Sequence, residues 1–142
     1  MTMTDEQARP GQFPRQSVTL ASEAASVPAA RRIVREVCDD WEMGADAAET
    51  GALLMSELVT NAVRHGQSHS VRVIAERPRS DRLRLAVVDK SCRMPELGLA
   101  RPDSFGGRGL VLVDVLADCW GTDLLPWGKR VWAEIVVKET DR

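Results

Sequence analysis

The sequence predicts an α+β fold: a two-layer sandwich of a mixed, mainly antiparallel sheet with helices on one face. Three observations carry that expectation. Two amphipathic helical segments follow one another with no strand between them. Apolar runs of strand length then come in pairs joined by short turns, which suits hairpins better than crossovers. One more helical segment separates the two pairs, so the order is β-α-α-β-β-loop-α-β-β. At 142 residues, 44% hydrophobic and 28% charged, the chain is long enough to bury a core without disulfide or metal staples.

Taken in order, residues 1–15 are polar and include Pro10, Gly11 and Pro14, so they read as a flexible arm ahead of a single domain at 16–142. Residues 16–20 alternate as a short strand with Val18 and Leu20 on one face. Ser26-Val27-Pro28 predicts a helix start, with Ser26 as the capping side chain. Ala30, Ile33, Val34, Val37 and Trp41 then give that helix an apolar face, and Gly44 ends it. Asp46 is the expected cap of a second helix that runs to His65 and stops at Gly66. Residues 71–76 and 83–88 are strand-like and flank a hairpin connection. Residues 90–107 are rich in Pro, Gly and charge and read as a long loop, of the kind that is either a functional lid or a disordered segment. A helix is expected from Gly109 to about Cys119, followed by strands at 120–125 and 130–137 around a Pro126-Trp127-Gly128-Lys129 turn.

Composition narrows the function classes. The net charge is -2 and no run of Lys or Arg occurs, so no direct nucleic-acid partner is expected. Cys38, Cys92 and Cys119 are odd in number and widely spaced, which fits neither a zinc site nor a disulfide framework; buried thiols in a reducing compartment are expected instead. The chain opens without an apolar leader and holds no run of membrane-spanning length, so the expected location is the cytoplasm, with no membrane partner.

Chemistry concentrates in three places. On the second helix Glu57, Asn61 and His65 fall at i, i+4 and i+8 and share a stripe. A carboxamide oxygen is a hard neutral ligand for Mg²⁺, and a carboxylate one turn earlier can deprotonate a hydroxyl or a water. Taken alone, Glu-x-x-x-Asn is more often a solvated helix face, and His65 is read only as a C-terminal residue facing the helix dipole. Asp89 ends an apolar strand, where a carboxylate can accept a hydrogen bond from the amine of adenine; guanine offers a carbonyl there. Phe105-Gly106-Gly107-Arg108-Gly109-Leu110 precedes a helix. Its glycines permit positive φ and close backbone approach to phosphates, and Arg108 adds charge. It is neither a P-loop nor a dinucleotide fingerprint.

Glu57-x-x-x-Asn61, Asp89, the long loop and the Gly106–Leu110 segment stand in an order that resembles the ATPase superfamily of gyrase, heat-shock chaperones, histidine kinases and mismatch-repair proteins. Within it the chain is similar to the small anti-sigma-factor serine/threonine kinases of bacteria, over residues 16–138. The resemblance implies ATP and Mg²⁺ as cofactors. Asn61 would bind Mg²⁺ and phosphate oxygens, Glu57 would be the general base, and Asp89 would contact adenine. Gly106, Gly107, Gly109 and Leu110 would form a lid hinge and phosphate cradle, with Arg108 beside it. Ser91 occupies the adenine-side loop where the family usually has glycine, and residues 128–132 lack the hydroxyl residue often found near the adenine edge. Also implied is γ-phosphoryl transfer to a Ser or Thr of an anti-anti-sigma antagonist, alternating with capture of a sigma factor; there is room for a homodimer. The residues leave open a non-catalytic protein-binding module, ATP-dependent or nucleotide-free, and, more remotely, a detached histidine-kinase catalytic domain.

Overall fold

Apolar residues recurring at the period of a strand and at the period of a helix have one interior to share, and the sheet and helices close on it. The computed structural model describes residues 13–65, 68–90 and 105–138, with residues 105–109 described by backbone alone. The arm expected at 1–15 therefore lies mostly outside the described residues, as do Gly66, Ser91 and most of the long loop.

The strands are β1 (Arg15–Ala21), β2 (Ser70–Glu76), β3 (Arg82–Asp89), β4 (Cys119–Leu125) and β5 (Gly128–Val136), and the helices are α1 (Ser26–Asp40), α2 (Ala45–His65) and α3 (Phe105–Leu116). The sheet order is β1-β2-β3-β5-β4. All four pairings are antiparallel, so the sheet is less mixed than the sequence suggested.

Local chemistry departs from expectation at several ends. Ser26 does not cap α1: Ala25 holds that position without a side-chain bond, and the Ser26 hydroxyl donates to the Ala21 carbonyl at 2.7 Å. The serine thus ties the helix start to the end of β1. Between α1 and α2 the chain reverses through two left-handed residues, Glu42 at φ 56° and Gly44 at φ 93°. Asp46 lies inside the first turn of α2, where its charge suits the helix dipole, and the Ala48 amide donates to the Gly44 carbonyl. The helix α3 begins at Phe105, four residues before the expected Gly109, and β5 begins at Gly128 rather than Arg130.

One face of the sheet is the core. Val71, Val73 and Ala75 of β2, Leu83, Leu85 and Val87 of β3, and Val131, Ala133 and Ile135 of β5 alternate inward. They meet Ala30, Val34 and Val37 of α1, Leu54, Leu58, Val59 and Ala62 of α2, and Val113 of α3. The helix α2 is central, packing on α1, α3, β2, β3 and β5. Gly51 permits this: an added Cβ would lie 3.0 Å from both Leu83 Cδ2 and Val34 Cγ1. At the far side, the Trp120 indole N–H of β4 donates to Asp114 of α3 at 2.9 Å.

The other sheet face carries a charge ladder. Arg15–Glu76, Glu76–Arg84, Arg84–Glu134 and Glu134–Arg82 pair at 3.2, 3.6, 2.9 and 3.0 Å, alternating in sign across β1, β2, β3 and β5. Arg84 also lies 6.0 Å from the Trp132 ring centroid. Of the cysteines, Cys38 is buried as expected, and burial pushes its thiol up to about 11, while Cys119 is exposed and corrects the expectation; Cys92 lies outside the described residues. No described helix is long and apolar enough to cross a membrane.

Candidate functional site

Leu58, Val59 and Ala62 hold the last half of α2 in the core, which carries Asn61 inside with them. Asn61 is 3% exposed, and its Oδ1 meets no hydrogen-bond partner among the described residues. An acceptor left dry and unmatched costs about 1–3 kcal/mol. A cation or a donor brought by a ligand would satisfy it. One turn further, His65 Nε2 is also buried and unmatched among the described residues. The sequence reading gave this histidine only a helix-end role.

Glu57, one turn before Asn61, is partly exposed. Burial raises its carboxyl above the ordinary Glu range, and the nearby positive charge of Arg64 opposes that rise. A carboxylate with raised proton affinity is a stronger base. The two side chains therefore differ in kind: one dry neutral acceptor, one base within reach of water. Among the described residues no group of three or more His, Cys, Asp or Glu gathers as a metal site. Asn61 suits Mg²⁺ in its usual arrangement, where substrate phosphates and waters complete the shell.

The glycine segment lies at the start of α3, which packs against α2 through fully buried Leu110 and Val113. Gly106, Gly107 and Gly109 take helical backbone, which replaces the loop expected from sequence. The first turn of any helix leaves its amides without intrahelical acceptors and carries the positive end of the dipole, so Gly106 and Gly107 retain anion-binding character by another route, whereas Gly109 lies past that turn. The Arg108 side chain lies outside the described atoms.

Asp89 closes β3 on the inner face, only 2% exposed. Its register partner is Lys129 of β5, and the Lys129 ammonium lies 3.3 Å from Asp89 Oδ1, with both side chains 1% exposed. The carboxylate expected to read adenine is already engaged by a cation of the chain itself. Gly128 makes the approach feasible, because an added Cβ there would collide with the Asp89 carbonyl oxygen and lie 2.8 Å from Lys90 Cα. The sequence reading missed Lys129 by placing it in a turn. A signal existed: Lys129, Val131, Ala133 and Ile135 form one alternating row whose first member is polar.

The geometry thus joins Glu57 and Asn61 on α2 and sets the glycine segment on the neighbouring α3. Asp89 lies at the end of the adjoining β3, and Ser91 falls outside the described residues.

The family model for the histidine kinase-like ATPase domain matches residues 20–133. Among solved structures, the chain is similar to the RsbU and RsbW domains of Rv1364c from Mycobacterium tuberculosis, with a TM-score of 0.65 and 21% identity over 87% of this chain and 32% of that one. It is also similar to the histidine kinase domain of the blue-light activated histidine kinase from Erythrobacter litoralis EL346, with a TM-score of 0.50 and 20% identity over 83% of this chain and 62% of that one. The chain spans about a third of the first of these and under two thirds of the second, and the likeness is one of fold. Comparison with curated proteins gave no match.

Proposed function

This chain belongs to the histidine kinase-like ATPase domain family, and on that premise we propose that it binds ATP with Mg²⁺ and transfers the γ-phosphoryl group to a Ser or Thr of a protein antagonist. In this reading it is a partner-switching regulator of transcription that holds either a sigma factor or an anti-anti-sigma antagonist. The observation that carries the nucleotide half is Asn61 Oδ1, buried and unmatched among the described residues one turn after Glu57.

Bound Mg-ATP supplies the phosphoryl group and the charge neutralisation that its transfer needs. The chain's own residues do the rest. Asn61 offers its carboxamide oxygen to the cation. Gly106 and Gly107 offer backbone amides at the start of α3 to phosphate oxygens, Gly109 follows one turn further in, and Leu110 anchors that segment in the core. Glu57 takes the proton from the attacking hydroxyl, helped by the proton affinity that burial gives it.

Incubation with Mg-ATP and the cognate antagonist should yield phosphoserine or phosphothreonine. A Glu57→Ala protein phosphorylating at the wild-type rate would remove Glu57 from the role of base. One observation favours a second reading, a protein-binding module without nucleotide: Asp89 is already paired with Lys129. Calorimetry separates the two, since that module would capture its partner tightly and give no heat with Mg-ATP.

A further inference from the structure

The helices pack on the inner face of the sheet, and a cavity of about 410 Å³ opens on the opposite face, the one that carries the charge ladder. That volume falls in the range of about 300–1,000 Å³ usual for small-molecule sites.

Strand alternation puts cations there. Arg72 stands between inward-facing Val71 and Val73, and Arg130 directly precedes inward-facing Val131, so both arginines belong to the ladder face. In the register Arg72 pairs with Val88 and Val88 with Arg130, so the two flank one valine. Their backbones are two strand spacings apart, roughly 10 Å, which lets two long guanidinium arms meet over one ion. Lys90, just past the end of β3, and Arg15 also line the cavity.

The charges in this wall do not balance. Arg15 is engaged by Glu76 at 3.2 Å, and Asp89, the one acid in the wall, is beside the Lys129 ammonium. The ion pair of Arg130 is long, 3.7 Å to half-exposed Asp123, and its Nε meets no hydrogen-bond partner among the described residues. Arg72 and Lys90 are exposed and form no ion pair among the described residues. The rest of the wall includes apolar Ile74, Val88 and Leu125, with Trp127, 55% exposed, in the turn between β4 and β5. Guanidinium forks match carboxylate and phosphate oxygens, and an indole offers a flat apolar plate.

We propose that this cavity is a second ligand site, for a small amphipathic anion: a carboxylate or phosphate carried on a flat apolar body. Arg72 and Arg130 grip the anionic head, Lys90 adds charge, and Trp127 and Leu125 cover the body. The site lies across the sheet from Glu57 and Asn61 and does not depend on the nucleotide reading.

The test is calorimetric titration of the full chain with naphthyl phosphate, naphthoate, naphthalenemethanol and inorganic phosphate. At least one aromatic anion is expected to bind about tenfold or more tighter than the neutral alcohol and the bare phosphate, and to weaken as salt rises. The better of the two names the head group. Saturating Mg-ATP should leave its binding in place. Arg72→Met should lower its affinity by about tenfold or more, the loss of a charge-assisted hydrogen bond, and leave the alcohol unchanged. Arg72→Lys keeps the charge without the fork and should fall between. Trp127→Ala should weaken the anion and the alcohol alike. Both side chains are exposed, so these variants should fold, and thermal melts check that.

An aromatic anion bound no tighter than the alcohol or the bare phosphate overturns the site. So does one bound by folded Arg72→Met or Trp127→Ala as tightly as by wild type. Displacement by Mg-ATP assigns the anion to the nucleotide site and overturns the second one. A dimer in sedimentation that Arg72→Glu takes apart gives the face to another copy of the chain and overturns it too. No heat with any probe overturns it and leaves the nucleotide reading intact.

Discussion

Asp89 and Lys129 face each other across the β3–β5 ladder and meet as an ion pair from which water is almost wholly excluded. Removing one member takes a close opposite charge away from the other inside the fold. Asp89→Leu and Lys129→Met should therefore each lower stability by about 3–5 kcal/mol, while the double variant recovers most of that loss. Urea denaturation of the three proteins measures the coupling; additive losses would show that the residues do not act as a pair.

The outer ladder should behave differently. Arg82, Arg84 and Arg15 remain about a third exposed, with side-chain values of 32%, 31% and 32%. Glu134→Gln should lower stability by no more than about 1 kcal/mol, and the effect should shrink as salt rises. Thermal melts at low and high ionic strength check both statements.

At Asn61 stability and binding should part company. Asn61→Ala removes a buried acceptor unmatched among the described residues, so the melting temperature should hold or rise. Mg-ATP affinity should fall by about tenfold or more, read by calorimetry. A variant that binds as tightly as wild type would take Asn61 out of the site.

Glu57 should report through pH. Its carboxyl is raised by burial, so the base is lost to protonation at a pH above that of an ordinary Glu. Phosphoryl transfer should fall as pH drops through that raised value, and Glu57→Gln should lower the rate by about 10²–10⁴ and remove this acid limb. The stability sign runs the other way. A carboxyl whose proton affinity is raised in the folded chain favours folding when protonated, and that contribution disappears as pH rises through the folded value. Glu57→Gln should consequently gain stability over wild type at neutral pH and lose that advantage in acid, as denaturation at the two pH values would show.

Gly128→Ala should destabilise by about 2 kcal/mol or more, because its Cβ meets backbone at Asp89 and Lys90. Gly51→Ala meets only the ends of Leu83 and Val34 and should cost less, about 1–2 kcal/mol. Paired melts of the two variants test that order.

The fold was legible because its signals are local. Leu83, Leu85 and Val87 alternate, Leu54, Leu58 and Ala62 follow the helix period, and both patterns agree with one buried layer. Glu57 and Asn61 were legible for the same reason, since one helical turn fixes their relation. Lys129 was not, because a lysine between glycine and arginine after Pro-Trp looks like turn chemistry until its cross-strand partner is known. That partner lies 40 residues away. The start of α3 escaped for a related reason: three glycines argue locally against a helix, whereas Leu110 and Val113 anchor one against α2.

The Trp120–Asp114 contact gives the protein a built-in optical probe. Indole emission responds to the polarity and hydrogen bonding around the ring, and this ring is tied to α3, the helix that opens with the glycine segment. Phenylalanine at the other three of the chain's four tryptophans, Trp41, Trp127 and Trp132, would leave Trp120 as the sole emitter. A change in its colour when Mg-ATP is added would then time the movement of α3 against the sheet in a single mixing experiment, with no attached dye.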